Sequence, residues 1–235
     1  MKTKLENMDI ISTENKTALR QTAVMTSATS DVYLMDCMEL MKQYPDNYFD
    51  LAVVDPPYGL ERFKKNDGGN SKKIKSFGDK DKNWNNEKPN KEYFDELFRV
   101  SKNQIIWGGN NFELPTSEYF IIWQKSNAED FSFAMCELAW TNCKVPAKIY
   151  KKLHIQVDDK NKIHPTQKPI ELYSWIFDRY STEGMKIIDT HLGSGSSRIA
   201  ANKANLHFTG CEIDAEYFDK ANKRYNDFIS QTRLF

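Results

Sequence analysis

At 235 residues, 40% of them hydrophobic and 28% charged, the chain has the composition of one ordinary globular domain with enough length for a large sheet core. No apolar run approaches the roughly 20 residues that span a membrane, which excludes an integral helical membrane protein and predicts a cytoplasmic one. The 33 basic and 33 acidic residues cancel, yet residues 60–91 hold ten Lys/Arg against five Asp/Glu and residues 144–168 hold seven against two, leaving 16 against 26 elsewhere. Two basic segments on an acidic body suit a chain that grips a polyanion on one face, although lysines also simply populate exposed loops.

Residues 1–30 are polar and rich in Thr, Ser, Asn and Lys, and read as an N-terminal arm. The single domain, residues 31–235, begins with a short strand, Asp31–Met35. Asp36 then caps a helix running to about Tyr44. Its place at a strand's carboxyl end makes Asp36 a candidate for any crevice there, as well as a cap. The next strand is Leu51-Ala-Val-Val54, an unbroken apolar run suited to a parallel strand covered on both faces. It ends abruptly in Asp55-Pro-Pro-Tyr-Gly59. Two prolines fix the backbone and donate no hydrogen bonds, so Asp55 and the carbonyl of Pro56 form a stiff acceptor corner with Pro57 and the ring of Tyr58 beside it. Such a corner suits a planar amino group: each acceptor takes one N–H and the aromatic lies against the ring bearing the amine. Asp-Pro alone would be turn chemistry.

Residues 60–90 show no helical or strand period, and a connection this long points to a lid that folds over whatever binds the corner. Phe77 and Trp84 interleave with its lysines, compatible with base stacking and equally with packing onto the core. A helix over Tyr93, Phe94, Leu97 and Phe98 follows. Next come the strand Gln104–Trp107, stopped by Gly108-Gly109, then Tyr119–Trp123, then Glu137–Thr141. The last two predict an antiparallel hairpin at the sheet's edge. The four cysteines form no Cys-x-x-Cys pair and read as buried free thiols.

The stretch 144–163 is basic and pattern-poor. Beyond it, His164-Pro-Thr-Gln-Lys-Pro169 leads into a helix opened by Pro169. A second unit, Met185-Lys-Ile-Ile-Asp-Thr-His-Leu-Gly-Ser-Gly-Ser-Ser197, places a strand before Asp189, a small-residue loop, and a helix from about Ser196. The strand His207–Ile213 follows and carries Glu212 near its end. Asp214 then caps the final helix. Strand, glycine loop, helix, strand, acid is an arrangement that holds nucleoside cofactors, with an acid accepting from ribose hydroxyls. The loop lacks the third glycine of the dinucleotide fingerprint. Asp189 at its head suits a positively charged ligand end such as an amino-acid ammonium.

Asp55-Pro-Pro-Tyr58, His164-Pro-Thr-Gln-Lys-Pro169 and Asp189-Thr-His-Leu-Gly-Ser-Gly-Ser196, in this order, together resemble the S-adenosylmethionine-dependent DNA amino-methyltransferases. The order of corner and loop resembles the permuted β class, and small phage-type members look closest. The resemblance covers about residues 31–230. It implies an α/β, Rossmann-like methyltransferase fold: a mostly parallel seven-stranded sheet with an antiparallel edge hairpin. The strands ending at Asp55 and Asp189 would be neighbours at the switch point. It also implies that Asp55, Pro56, Pro57 and Tyr58 hold the target base. Asp189, Gly193, Ser194, Gly195 and Ser196 would contact the cofactor's methionine end. Glu212 would lie at its ribose, Asp36 with Cys37 at its adenine edge, and Thr166, Gln167 and Lys168 on its carboxylate side, with His164 and Asp214 also among the cofactor-binding residues. Two departures stand out: His191 replaces an aromatic that packs on the cofactor, and Thr190 replaces the proline before it.

The activity so implied is methyl transfer from S-adenosyl-L-methionine to adenine N6 of a base flipped from double-stranded DNA, with cytosine N4 as the alternative. An Asp heading the corner favours adenine. Segment 144–163 and the lid are the expected reading surface. Its small size implies a short or relaxed site and a possible homodimer. The same amine chemistry would work on RNA. From other classes, a nicotinamide oxidoreductase would leave the corner and both basic segments without a role, and a nucleic-acid-binding protein with a vestigial site would leave the intact corner without one.

Overall fold

A computed structural model of the chain describes residues 28–59, 88–125, 134–152 and 162–232. The expected arm up to residue 27, the body of the expected lid and the end of the expected reading segment lie outside these residues. Eight strands form one sheet: β1 (Ser30–Leu34), β2 (Phe49–Val54), β3 (Ser101–Trp107), β4 (Phe120–Gln124), β5 (Cys136–Thr141), β6 (Lys148–Lys151), β7 (Lys186–Asp189) and β8 (His207–Glu212). Their spatial order is β1-β8-β7-β2-β3-β5-β4-β6. Among the described residues five α-helices pack on it: α1 (Cys37–Met41), α2 (Lys91–Val100), α3 (Ile170–Tyr180), α4 (Ser196–Lys203) and α5 (Ala215–Thr232). No helix among the described residues is long and apolar enough to cross a membrane.

Strand β2 is the sheet's centre, parallel to β3 on one side and to β7 on the other. Its alternation divides the core into two layers, because successive side chains in a strand point to opposite faces. Leu51 and Val53 join Ile105, Trp107 and Ile187 under Leu172, Ile176 and Phe177 of α3. Ala52 and Val54 join Ile106 and Ile188 against Leu40 of α1 and Tyr93, Phe94 and Leu97 of α2. Each Val or Leu so buried stabilises the fold by roughly 1.5–3 kcal/mol, which is why this run is apolar throughout instead of alternating with polar residues.

The sheet has one strand more than the seven expected. The addition is β6, which comes from the stretch read as pattern-poor and runs parallel to β4. Four residues, Lys148-Ile-Tyr-Lys151, are too short for a period to register, and its lysines are the charges that an edge strand carries. The predicted hairpin therefore does not end the sheet. Strand β5 is antiparallel to both β3 and β4, and β6 lies outside β4. The first helix ends at Met41, short of Tyr44. The four cysteines are free, but only Cys143 and Cys211 are buried, while Cys136 is exposed.

Sequence order reverses between β7 and β2, since β8 and β1 continue on one side and β3 on the other. This is the switch point at which ligands bind in open parallel sheets, beyond the carboxyl ends of the strands. Asp55 follows β2 there, and Asp189 closes β7.

Candidate functional site

A cavity of about 410 Å³ opens at this switch point. It is lined by Asp55 and Pro57 from the corner, by Thr190 to Ser194 and Ser196 from the glycine loop, and by Glu212 and Ile213 from the end of β8. Met35, Asp36 and Cys37 close one end, and His164, Thr166, Gln167, Lys168 and Tyr173 another. Motifs separated by more than 100 residues thus meet in one crevice.

The loop after β7 owes its shape to two glycines in the left-handed region, Gly193 at φ 50° and Gly195 at φ 69°. That conformation costs glycine nothing. A Cβ on Gly193 would stand 3.9 Å from the His164 ring, so the missing side chain leaves open the space between two cavity walls. Gly195 sits behind, capping α4, where a Cβ would meet Ala221 at 3.4 Å; it does not line the cavity. From below, the Arg224 guanidinium donates to the Ser194 carbonyl at 2.8 Å and to Ser196 Oγ at 2.9 Å.

Glu212 binds this loop to β8. One carboxylate oxygen accepts from Gly193 N at 2.9 Å and the other from Ile213 N and Asp214 N, each at 3.0 Å. Burial holds its pKa above the ordinary range. Asp36 likewise uses one oxygen to cap α1, accepting from Met38 N at 2.8 Å. Burial beside that carboxylate pushes the Cys37 thiol up to about 11. Ile213, 69% exposed, offers an apolar rim.

Asp189 departs from its expected place. It is 2% exposed and absent from the cavity wall; its carboxylate accepts from His191 N at 3.0 Å and from Ser197 Oγ at 2.5 Å. Its task in this structure is to hold the loop's turn. Burial raises its pKa to about 7. Asp214 also stays outside the cavity, capping α5 by accepting from Glu216 N and Tyr217 N at 2.9 and 3.1 Å. His191 fits the aromatic place it occupies. Burial lowers its pKa to about 4, so the imidazole is neutral, and its ring meets Tyr93 edge-on at 5.5 Å. A chain of hydroxyls orients it: Tyr93 OH lies 2.7 Å from Thr190 Oγ1, which lies 2.9 Å from His191 Nδ1. The proline expected before His191 could not have joined that chain.

At the acceptor corner both Asp55 oxygens are engaged. Tyr58 OH donates to Oδ1 at 2.6 Å, and the Lys168 ammonium lies 2.5 Å from Oδ2. Lys168, expected on the carboxylate side of the cofactor, lines the cavity beside Gln167 with its ammonium on the corner. Its side chain is 3% exposed, with Nζ 5.3 Å from the Trp107 ring centre and 5.7 Å from that of Tyr58. Beyond it stands Glu137 on β5, with Oε2 at 3.2 Å from Nζ and the other oxygen paired with Lys125. Burial would lower the Lys168 pKa, but the Asp55 and Glu137 charges more than offset it, so the ammonium is held above its usual range. Burial likewise works against an ionised Glu137, yet Lys168 and Lys125 hold it at about 2. Pro56 lies buried behind Asp55, and Tyr58 turns inward, its pKa pushed well up by burial and by Asp55.

Sequence reasoning missed Glu137, Lys125, Trp107, Tyr173, Tyr93 and the wall residues Met35, Leu192 and Ile213. Only Glu137 left a signal, a lone carboxylate in the otherwise apolar strand Glu-Leu-Ala-Trp.

A family model described as DNA methylase matches residues 106–223, half of the chain. The type II methyltransferase M2.MboI of Moraxella bovis is 26% identical over 246 residues, which cover 84% of this chain and 88% of that protein. Among solved structures, the M1.HpyAVI complex with SAM aligns at a TM-score of 0.56 and 20% identity, covering 84% of this chain and 100% of that one. The cytosine-N4-specific PvuII DNA methyltransferase aligns at 0.52 and 13% identity, covering 85% and 93%.

Proposed function

Since the chain belongs to the DNA methylase family, we propose that it transfers a methyl group from S-adenosylmethionine to the N6 amine of an adenine flipped out of duplex DNA. The observation that carries this reading is the adjacency of β2 and β7, which opens Asp55 and the glycine loop into one cavity.

The residues present fit the cofactor. Glu212 keeps acceptor capacity toward the cavity for ribose hydroxyls, with Met35, Cys37 and Ile213 beside it for an adenine ring. His191 supplies a neutral plate. Ser194 and Ser196, at the amino end of α4, and Thr166 with Gln167 suit a carboxylate. When bound, S-adenosylmethionine supplies an electrophilic methyl group on a sulfonium.

Asp55 and the Pro56 carbonyl do the positioning. An exocyclic amine is a poor nucleophile because its lone pair is delocalised into the ring. Two acceptors on its N–H groups favour a pyramidal nitrogen and stabilise the charge that builds on it. Asp55 is also in place to take the proton the amine sheds. The duplex hides this nitrogen, so flipping the base costs a few kcal/mol.

The test is to incubate the protein with unmethylated DNA and S-adenosylmethionine, digest to nucleosides and identify the product by mass spectrometry. N6-methyladenine is expected, reduced about 10²–10³-fold by Asp55→Ala, the scale of losing one preorganised charge-stabilising group. N4-methylcytosine instead would keep the mechanism and change the base. Product on RNA alone would change the polymer, and no methylated base on either would sink the proposal.

A further inference from the structure

The acceptors of the corner are taken up by a nitrogen that donates hydrogen bonds. Lys168 Nζ lies 2.5 Å from Asp55 Oδ2 and donates to Tyr58 OH at 3.3 Å, with the Trp107 and Tyr58 ring centres 5.3 and 5.7 Å away. A planar ring bearing an amine needs these same neighbours: a carboxylate for the N–H and an aromatic face beside it. On the far side, Glu137 Oε2 is buried without a hydrogen-bond partner, although it lies 3.2 Å from the same ammonium. That contact is longer than the one Lys168 makes to Asp55, so Glu137 Oε2 is incompletely paired and has room for a closer donor.

We propose that Lys168 is a placeholder for the target amine: its ammonium, which pairs with Asp55 and lies near Glu137, passes to Glu137 when a flipped base enters the corner. This rests on the reading of the corner as an amine-binding site. The transfer never exposes or strands a charge. Before it, Asp55 is paired and Glu137 is half-satisfied; after it, Lys168 completes Glu137 and Asp55 takes the amine. Lys168 is a positioning residue, acting through Asp55 and making no demand on the cofactor.

Two variants separate this from a structural role. Lys168→Met alone would leave Asp55 without its cation and Glu137 with Lys125 alone, so it is combined with Glu137→Gln, which leaves one carboxylate, Asp55, and one ammonium, Lys125, in the local charge count. Without the placeholder the corner is open to the base, and the KM for a duplex carrying the mapped methylation site should fall. If the open corner is a minor state populated at about 10%, the fall is about tenfold. Glu137→Gln alone deprives Lys168 of its second partner and should raise that KM. In both variants the calorimetric affinity for S-adenosylmethionine should stay within about twofold of wild type. KM shifts of the same sign in the two variants, or a tenfold loss of S-adenosylmethionine affinity in either, would overturn the proposal. Those results come from an active wild type. A wild type that neither binds S-adenosylmethionine nor methylates DNA or RNA fails the reading of the site itself, and the placeholder with it.

Discussion

Asp189, buried, and His191, half-buried, lie two residues apart at the loop after β7, and desolvation moves their pKa values in opposite senses, to about 7 and about 4. Their effects on stability therefore oppose each other. The raised carboxyl binds its proton more tightly folded than unfolded, so its stabilisation is complete below about pH 4 and is lost as the pH rises to about 7. The depressed imidazole contributes fully above about pH 6.5 and loses its contribution as the pH falls to about 4. Across pH 4–6.5 the two slopes, each up to about 1.4 kcal/mol per pH unit, cancel. Asp189→Asn can still accept from His191 N while donating to Ser197 Oγ, so it removes one slope and keeps the turn. Relative to wild type, its melting temperature should rise at pH 8 and then fall on acidification from pH 6.5 to 4.5. Adding His191→Phe should remove that fall. Parallel curves for wild type and Asp189→Asn would mean that Asp189 does not hold a proton near neutrality.

At the scale of elements, the corner depends on the end of the neighbouring strand. Gly108 follows β3 at φ 67°, and a Cβ there would lie 2.2 Å from the Tyr58 ring, far inside contact distance. Gly108→Ala thus meets both a strained backbone and a ring with a buried hydroxyl bond to Asp55. We expect a loss of about 1–3 kcal/mol in stability and a loss of methylation larger than the change in S-adenosylmethionine affinity. Equal losses in both would place the damage in the sheet as a whole. The sequence displayed Gly108 as a strand stop, but not what it makes room for. The same limit runs through the site. Asp55, the glycine loop and Glu212 were legible because each ends an apolar strand and so reaches the switch point whatever the details. Their partners were not: Lys168 reads as one more basic residue of a basic segment, and Tyr93 as one position of a helical stripe. Only the three-dimensional neighbourhood turns the first into the partner of Asp55 and the second into the anchor of His191. Asp189 fails for a related reason. A carboxylate at a strand end can face the ligand or the turn, and two donors, His191 N and Ser197 Oγ, decide for the turn.

For the molecule as a whole, zero net charge leaves DNA affinity to where the lysines sit. Strands β2, β3, β4 and β6 all run in one direction, since β5 is antiparallel to both β3 and β4 while β4 and β6 are parallel. The carboxyl end of β6 is therefore at the sheet end that carries Asp55. Lys151 is exposed there, whereas Lys148, also exposed, lies three residues back, roughly 10 Å toward the opposite end. If a duplex lies over the Asp55 end, the two lysines should differ although they share a strand and a charge. Lys151→Glu should weaken binding uniformly across sequences and reduce the slope of log affinity against log salt by about one phosphate contact, or about 0.9. Lys148→Glu should change the slope by much less. Fluorescence anisotropy with one labelled duplex, titrated at several salt concentrations, measures both. Equal slopes for the two variants would mean that only overall charge matters, and a larger effect of Lys148→Glu would put the duplex at the other end of the sheet, away from the acceptor corner.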